Sequence, residues 1–388
     1  MRVNGVELRM LSLHLRHPHV GAADDETERP AVVVRLLTDD GEGWGECTAL
    51  RAPTYAPEYA WGAWEVLRSH LVPRLLTGPG AAIAPDEVRG MLAGVRGHHM
   101  AKAALEMAVL DASLRAAGRS LATWLGVEAA SVPAGAVAGL ASSPAELVER
   151  VGALVEAGYV RVKLKIAPGA DVVPVAAVRD RFPDLVLQVD ANGAYRLEDA
   201  GVLAGLDDLG LACLEQPLPA DDLTGHAALA AKIRTRVCLD ESITSLGRLE
   251  AALGLGACRV VCVKAGPLGG PLRAVEAHDA CRRRGVDAWC GGMLETGLGR
   301  AANAALAGLP GFTLVGDVSG GPRFLEDDPF GTPTMDRGRV ALHQDPGVGP
   351  DPDRDALASV TSAVELVRAP GRPGRPARPG RPGRPGRP

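Results

Sequence analysis

Short runs of apolar and β-branched residues return about every 25 residues along most of this 388-residue chain. They lie at 158–166, 185–191, 211–215, 236–240, 259–264, 286–290 and 312–316. Ala- and Leu-rich stretches with a helical period, such as 143–157, 170–181 and 269–284, fill the gaps. Serial strand–helix units imply a parallel sheet, and seven or eight of them imply closure into a barrel. A doubly wound open sheet is the alternative. It would usually carry a Gly-rich nucleotide turn after its first strand, and the sequence has none.

The region before this rhythm is organised differently. Residues 3–15 and 31–38 alternate apolar and polar side chains and read as strands, with a polar, Gly-containing loop from 17 to 30 between them. A turn at Asp39-Asp40-Gly41 leads to a third strand, Gly43 to Cys47, and helical patterns follow at 57–76 and 99–117. These features predict a small α+β domain over 1–125 and a barrel over 126–320. Residues 337–344 and 353–367 are expected to return to the first domain, so that 321–367 completes it. The Gly-Arg-Pro repeats of 368–388 cannot bury apolar surface and are expected to be a disordered basic extension without function.

Composition removes several classes of function. Residues 1–367 carry 35 basic and 47 acidic side chains, a net −12, which argues against a nucleic-acid surface. No charge-free run of 18 apolar residues exists, and the first residues lack a signal-peptide core. The seven cysteines form no CxxC pair, as expected of reduced thiols in a cytoplasmic protein.

The polar residues that end successive predicted strands carry the chemistry. Lys165, Asp190, Glu215, Asp240 and Lys264 are spaced 25, 25, 25 and 24 residues apart. Each falls at the C-terminal end of a strand, where barrel active sites are built. Taken singly, an acid there reads best as a solvated loop residue; five at one register do not. Three carboxylates from adjacent strands repel one another unless a cation lies between them. An all-oxygen set favours a hard ion, Mg²⁺ before Mn²⁺. The lysines then flank that ion, presenting an amine to each face of a bound carboxylate substrate.

Lysine is rare here: only 102, 163, 165, 232 and 264, against 37 arginines. Three of the five sit at these strand ends, where a group able to lose its proton is useful and arginine is not. Lys163 shares a face with Lys165 and should disfavour protonation of its neighbour. Lys102 and Lys232 read as surface residues. His98-His99 and Gly297–Arg300 read as structural.

In this order KLK, DANGAY, LEQPL, LDES, VKAGPLGG and WCGGMLETGLGRAAN resemble the enolase superfamily, and more closely its o-succinylbenzoate synthase and N-succinylamino-acid racemase group. The likeness covers residues 1 to about 367 and includes the GEGWGEC strand and the TYAPEY segment. It implies an α/β fold, a modified (β/α)8 barrel of (β/α)7β form, capped by an α+β domain built from the N-terminal region and the C-terminal segment. Asp190, Glu215 and Asp240 would be the metal ligands, with Asn192 and Glu241 orienting them. Lys165 would be the base, Lys163 its electrostatic neighbour and Lys264 the opposite lysine. The loop at 17–30 would be a lid, and Gly291, Gly292, Met293, Leu294, Glu295 and Thr296 would line the substrate pocket.

Racemases of the group typically read KPGR where this chain reads Lys264-Ala265-Gly266-Pro267. That departure favours one-base elimination of water by an o-succinylbenzoate synthase of menaquinone synthesis, a lyase, with an N-acylamino-acid racemase as the alternative. A metal-stabilised barrel without catalysis is the remote one. The expected partners are a small carboxylate substrate and further copies of the chain, with no nucleic acid and no membrane.

Overall fold

A computed structural model describes residues 1–20, 25–77, 83–321 and 324–369, without the side chains of 17–20, 25 and 26. Strands β1 (Val3–Val20), β2 (Asp25–Thr38) and β3 (Gly41–Cys47) come first. A short β4 (Ser131–Pro133) precedes β5 (Gly135–Ala138), β6 (Arg161–Lys165), β7 (Val186–Asp190), β8 (Leu214–Glu215), β9 (Val237–Leu239), β10 (Val260–Val263) and β11 (Asp287–Cys290). Strands β12 (Met335–Asp336), β13 (Arg339–Ala341) and β14 (Thr361–Arg368) complete the set.

Strands β5 to β11 form one parallel sheet in sequence order, the curled wall of a modified barrel. Helices Pro144–Glu156, Val172–Arg181 and Pro271–Arg284 fall in the predicted gaps. The run at 312–316 forms no regular strand, contrary to expectation. It still bridges the first and last staves: Leu314 and Asp317 donate to Ala288 and Cys290, while Gly135 donates to Val318. A side chain at Gly316 would place its Cβ 2.3 Å from the Cys290 carbonyl, so the segment crosses too tightly for a pleated ladder.

The second sheet is antiparallel in the order β14-β1-β2-β3. The expected loop at 17–30 is mostly a continuation of this ladder, because β1 runs to Val20 and β2 starts at Asp25. Backbone pairing needs no apolar side chains, so polarity hid the hairpin. Residues 21–24 of the expected lid, and the tail beyond residue 369, lie outside the described residues. Residues 339–341 lie outside this sheet. They pair with β4 in a separate three-stranded sheet, whereas β14 packs along β1.

Helix His99–Ala116 fastens the two parts together. It is buried on nearly every side because β3 packs on one face and the turn after β10 on another. The glycines of GEGWGEC make this possible: a Cβ at Gly45 would lie 2.0 Å from the Ala104 carbonyl oxygen, and one at Gly43 2.2 Å from that of Ala108. Lys102, expected on the surface, is half-buried on this helix and donates to the Val95 carbonyl.

Glu106, buried on the same helix, accepts from Leu272 N in the first turn of helix Pro271–Arg284. Burial, only partly offset by the Leu272 hydrogen bond and Arg273, pushes its carboxyl up to about 7. The folded state therefore holds this proton more tightly than the unfolded chain. Stability from this group is greatest at low pH and falls, by up to about 3 kcal/mol, as pH rises from ~4.5 to ~7. Glu106→Gln should accordingly gain on the parent as pH rises through that window, read as the difference in melting temperature at pH 5 and pH 8.

Candidate active site

The strand-end residues meet at the C-terminal rim of the barrel. Lys165 Nζ lies 2.7 Å from Asp190 Oδ2 and 2.5 Å from Asn192 Oδ1. Across the rim Lys264 Nζ lies 2.7 Å from Asp240 Oδ2. Lys163 sits deeper, 2.7 Å from Asp317 Oδ2, 3.1 Å from Glu215 Oε2 and 3.5 Å from Asp190 Oδ2. The two flanking amines thus approach different carboxylates from strands four positions apart. The side chain of Lys165 is 29% exposed and that of Lys264 only 9%.

Three of the acids, Asp190, Glu215 and Asp240, are buried. Burial, with Asp190 and Asp240 as like-charged neighbours, drives the Glu215 carboxyl well above its ordinary range. Burial also opposes the charge on Lys163, but Asp317, Glu215 and Asp190 outweigh it and hold that amine firmly protonated. Its charge is therefore spent on carboxylates more than on its lysine neighbour. The donor atoms of Glu215 and Asp240 lie within 4.8 Å of each other and of Cys262 Sγ, while Asp190 stands outside that set and is tied to Glu215 through Lys163. Buried hard oxygens carrying a surplus of negative charge suit a divalent cation.

The residues beside the acids hold them in place. Asn192, at φ 43°, donates its backbone N–H to Asp190 and its side chain to Glu241, and Gln188 donates to Glu215. Burial, reinforced by Asp240 and Asp190, raises Glu241 to about 7. Gln216 occupies the left-handed region at φ 37°, a position strained by ~1–3 kcal/mol for such a residue. Its side chain accepts from the backbone of Asp240 and Ser242 and donates to Leu218 and Ser242, which locks two strand ends together.

Sequence reasoning missed three groups. Asp317 neutralises Lys163 and Arg161 from the segment that closes the barrel. Its place after the apolar run 312–316 was the available signal. Tyr55 arrives from the capping region: its hydroxyl donates to Asp240 Oδ1 at 3.0 Å and accepts from Lys264 at 3.2 Å, with the ring 4.4 Å below that amine. No periodicity marks it. Cys262 shares a strand face with Lys264, and burial together with Asp240 drives its thiol far up.

The segment 291–296 links the rim to the cap. Met293 packs on the cap core, Glu295 accepts from Met293 N and Asn303, and Thr296 donates to Glu46 of β3. Leu294 is half-buried, and Gly292 faces Glu295. A Cβ on Gly291 would lie 2.3 Å from Cys262 Sγ and 2.8 Å from Lys264 Cγ. Gly291→Ala should displace the Lys264 amine and lower kcat on the order of 10²-fold in a chain whose circular dichroism is unchanged.

Residues 146–356 match the family described as Enolase C-terminal domain-like, and residues 5–126 match the mandelate racemase / muconate lactonizing enzyme N-terminal domain. The chain belongs to the enolase superfamily. Within it, the chain is 48% identical to an N-succinylamino acid racemase from Amycolatopsis sp, over 94% of this chain and 98% of that one. It is 37% identical to an o-succinylbenzoate synthase from Bacillus subtilis (strain 168), with the same coverage. A crystal structure of an enolase-superfamily member from Listeria innocua superposes with a TM-score of 0.92 at 34% identity, covering 95% of this chain and all of that one. The two relatives compared by sequence are enzymes of the o-succinylbenzoate synthase and N-succinylamino acid racemase group. Among the described residues no helix is long and apolar enough to cross a membrane.

Proposed function

We propose that this protein is an o-succinylbenzoate synthase, removing water from 2-succinyl-6-hydroxy-2,4-cyclohexadiene-1-carboxylate to give 2-succinylbenzoate for menaquinone synthesis. The observation that carries this reading is the inequality of the two flanking amines. Lys165 is the accessible one, whereas Lys264 is buried and clasped by Asp240 and the Tyr55 hydroxyl. A one-base elimination needs one mobile amine and one fixed cation. Lys165 takes the proton next to the carboxylate, and its ammonium then protonates the departing hydroxyl on the same face. Lys264 stays charged opposite it and stabilises the electron-rich intermediate.

Asp190, Glu215 and Asp240 would hold a divalent cation, Mg²⁺ before Mn²⁺. When bound, that ion supplies Lewis-acid stabilisation of the negative charge that builds on the substrate carboxylate. Asn192 and Glu241 would orient these carboxylates and Lys165. Residues 291–296 would face the rest of the substrate.

Pro267 is consistent with elimination. It lies in the first turn after Lys264, where a missing N–H costs nothing, and brings no cation to that side of the amine. Racemisation of N-succinylamino acids is the second reading, supported by the 48% identical relative of that name and by the presence of both lysines. Purified protein with Mg²⁺ should dehydrate the cyclohexadiene carboxylate while leaving the α-proton of N-succinylamino acids largely unexchanged in deuterium oxide. Fast exchange of both enantiomers without dehydration would replace the first reading by the second.

A further inference from the structure

The donor atoms that converge most closely at the rim are not three oxygens. They are one oxygen from Glu215, one from Asp240 and the sulfur of Cys262, all within 4.8 Å of one another and all on buried residues. Cys262 is 2% exposed, and among the described residues no hydrogen bond engages its Sγ. Gly291 closes one side of the thiol, so tightly that a Cβ there would lie 2.3 Å from the sulfur.

We propose that this protein has a second mode of metal binding, in which Glu215, Asp240 and Cys262 hold a thiophilic divalent cation such as Zn²⁺ or Cd²⁺. The inference rests on the cation site proposed above but not on the reaction assigned to it. Soft thiolate selects such ions, whereas Mg²⁺ has no use for sulfur and is left to the carboxylates. A tetrahedral ion with bonds of about 2.0 Å to oxygen and 2.3 Å to sulfur sets its donors about 3.5 Å apart. A set spanning 4.8 Å closes onto it by small side-chain rotations. The thiol proton leaves to solvent as the metal–sulfur bond forms, and no electron is transferred. Both modes use Glu215 and Asp240, so the two kinds of ion exclude each other and a thiophilic ion displaces the hard one.

Ultraviolet titration of the full chain with Cd²⁺ alone tests this through the thiolate-to-metal charge-transfer band. One equivalent should develop the band, and Cys262→Ser, Cys262→Ala and Glu215→Gln should each lose it. Cys258→Ser should keep it, since Cys258 lies outside that set of donors, beside Cys281. Mg²⁺ in large excess should raise the Cd²⁺ concentration needed. An absent band, or one that survives in both Cys262 variants with native circular dichroism, overturns the inference. A band that behaves as expected in a protein lacking dehydratase activity would sink the proposed reaction and leave this site standing.

Discussion

Lys165→Ala is expected to lower kcat/KM by about 10²–10⁴-fold, the usual worth of a positioned general base. Mg²⁺ affinity should change little, because Lys165 only approaches Asp190 from the solvent side, and partial exposure makes its loss tolerable to the fold. Lys165→Arg sharpens the test. It keeps the charge beside Asp190 but cannot give up its proton, so it should be as inactive as the alanine variant. Rescue by arginine would reduce Lys165 to an electrostatic group and end its assignment as the base. Steady-state rates and Mg²⁺ titration calorimetry on the same preparations separate the two outcomes.

Stripping divalent ions with a chelator should abolish turnover, and adding Mg²⁺ back should restore it. Three buried carboxylates receive compensation from lysines at only some of their oxygens, and Glu215 in particular lies among like charges. A cation that binds only the folded chain should also stabilise it, by about 2.7 kcal/mol at a hundred times its Kd. The melting temperature should therefore climb with Mg²⁺ and stop climbing in Glu215→Gln. Stabilisation without any turnover on either candidate substrate would instead favour a metal-bound scaffold, and turnover in the chelated protein would remove the ion from the chemistry.

The parts of this site that follow a period were legible before any coordinates. Lys165, Asp190, Glu215, Asp240 and Lys264 are each one strand–helix unit apart, and a barrel turns such a spacing into a ring. What was hidden depends on contacts between segments with no common period. Tyr55 reaches Asp240 from 185 residues away, and Asp317 reaches Lys163 from 154. The hairpin beyond residue 15 was mistaken for a loop because its ladder rests on backbone hydrogen bonds rather than apolar alternation. The last stave was mistaken for a strand because its apolar residues find packing, Leu314 on one core cluster and Phe312 on another, without pleating. Glycines carried information that only packing reveals: Gly43, Gly45 and Gly291 each mark a place where another element presses against the backbone.

The pairing of β1 with β14 joins residues as far apart as 363 positions, Gly5 with Arg368. A ribosome adding about 5–20 residues per second would finish β1 tens of seconds before its partner exists. During that interval β1 carries a row of unpaired backbone N–H and C=O groups on the edge that β14 later covers. Docking of the late-made strand is thus the event that shields it, and the chain should be most prone to aggregate just before synthesis reaches residue 361.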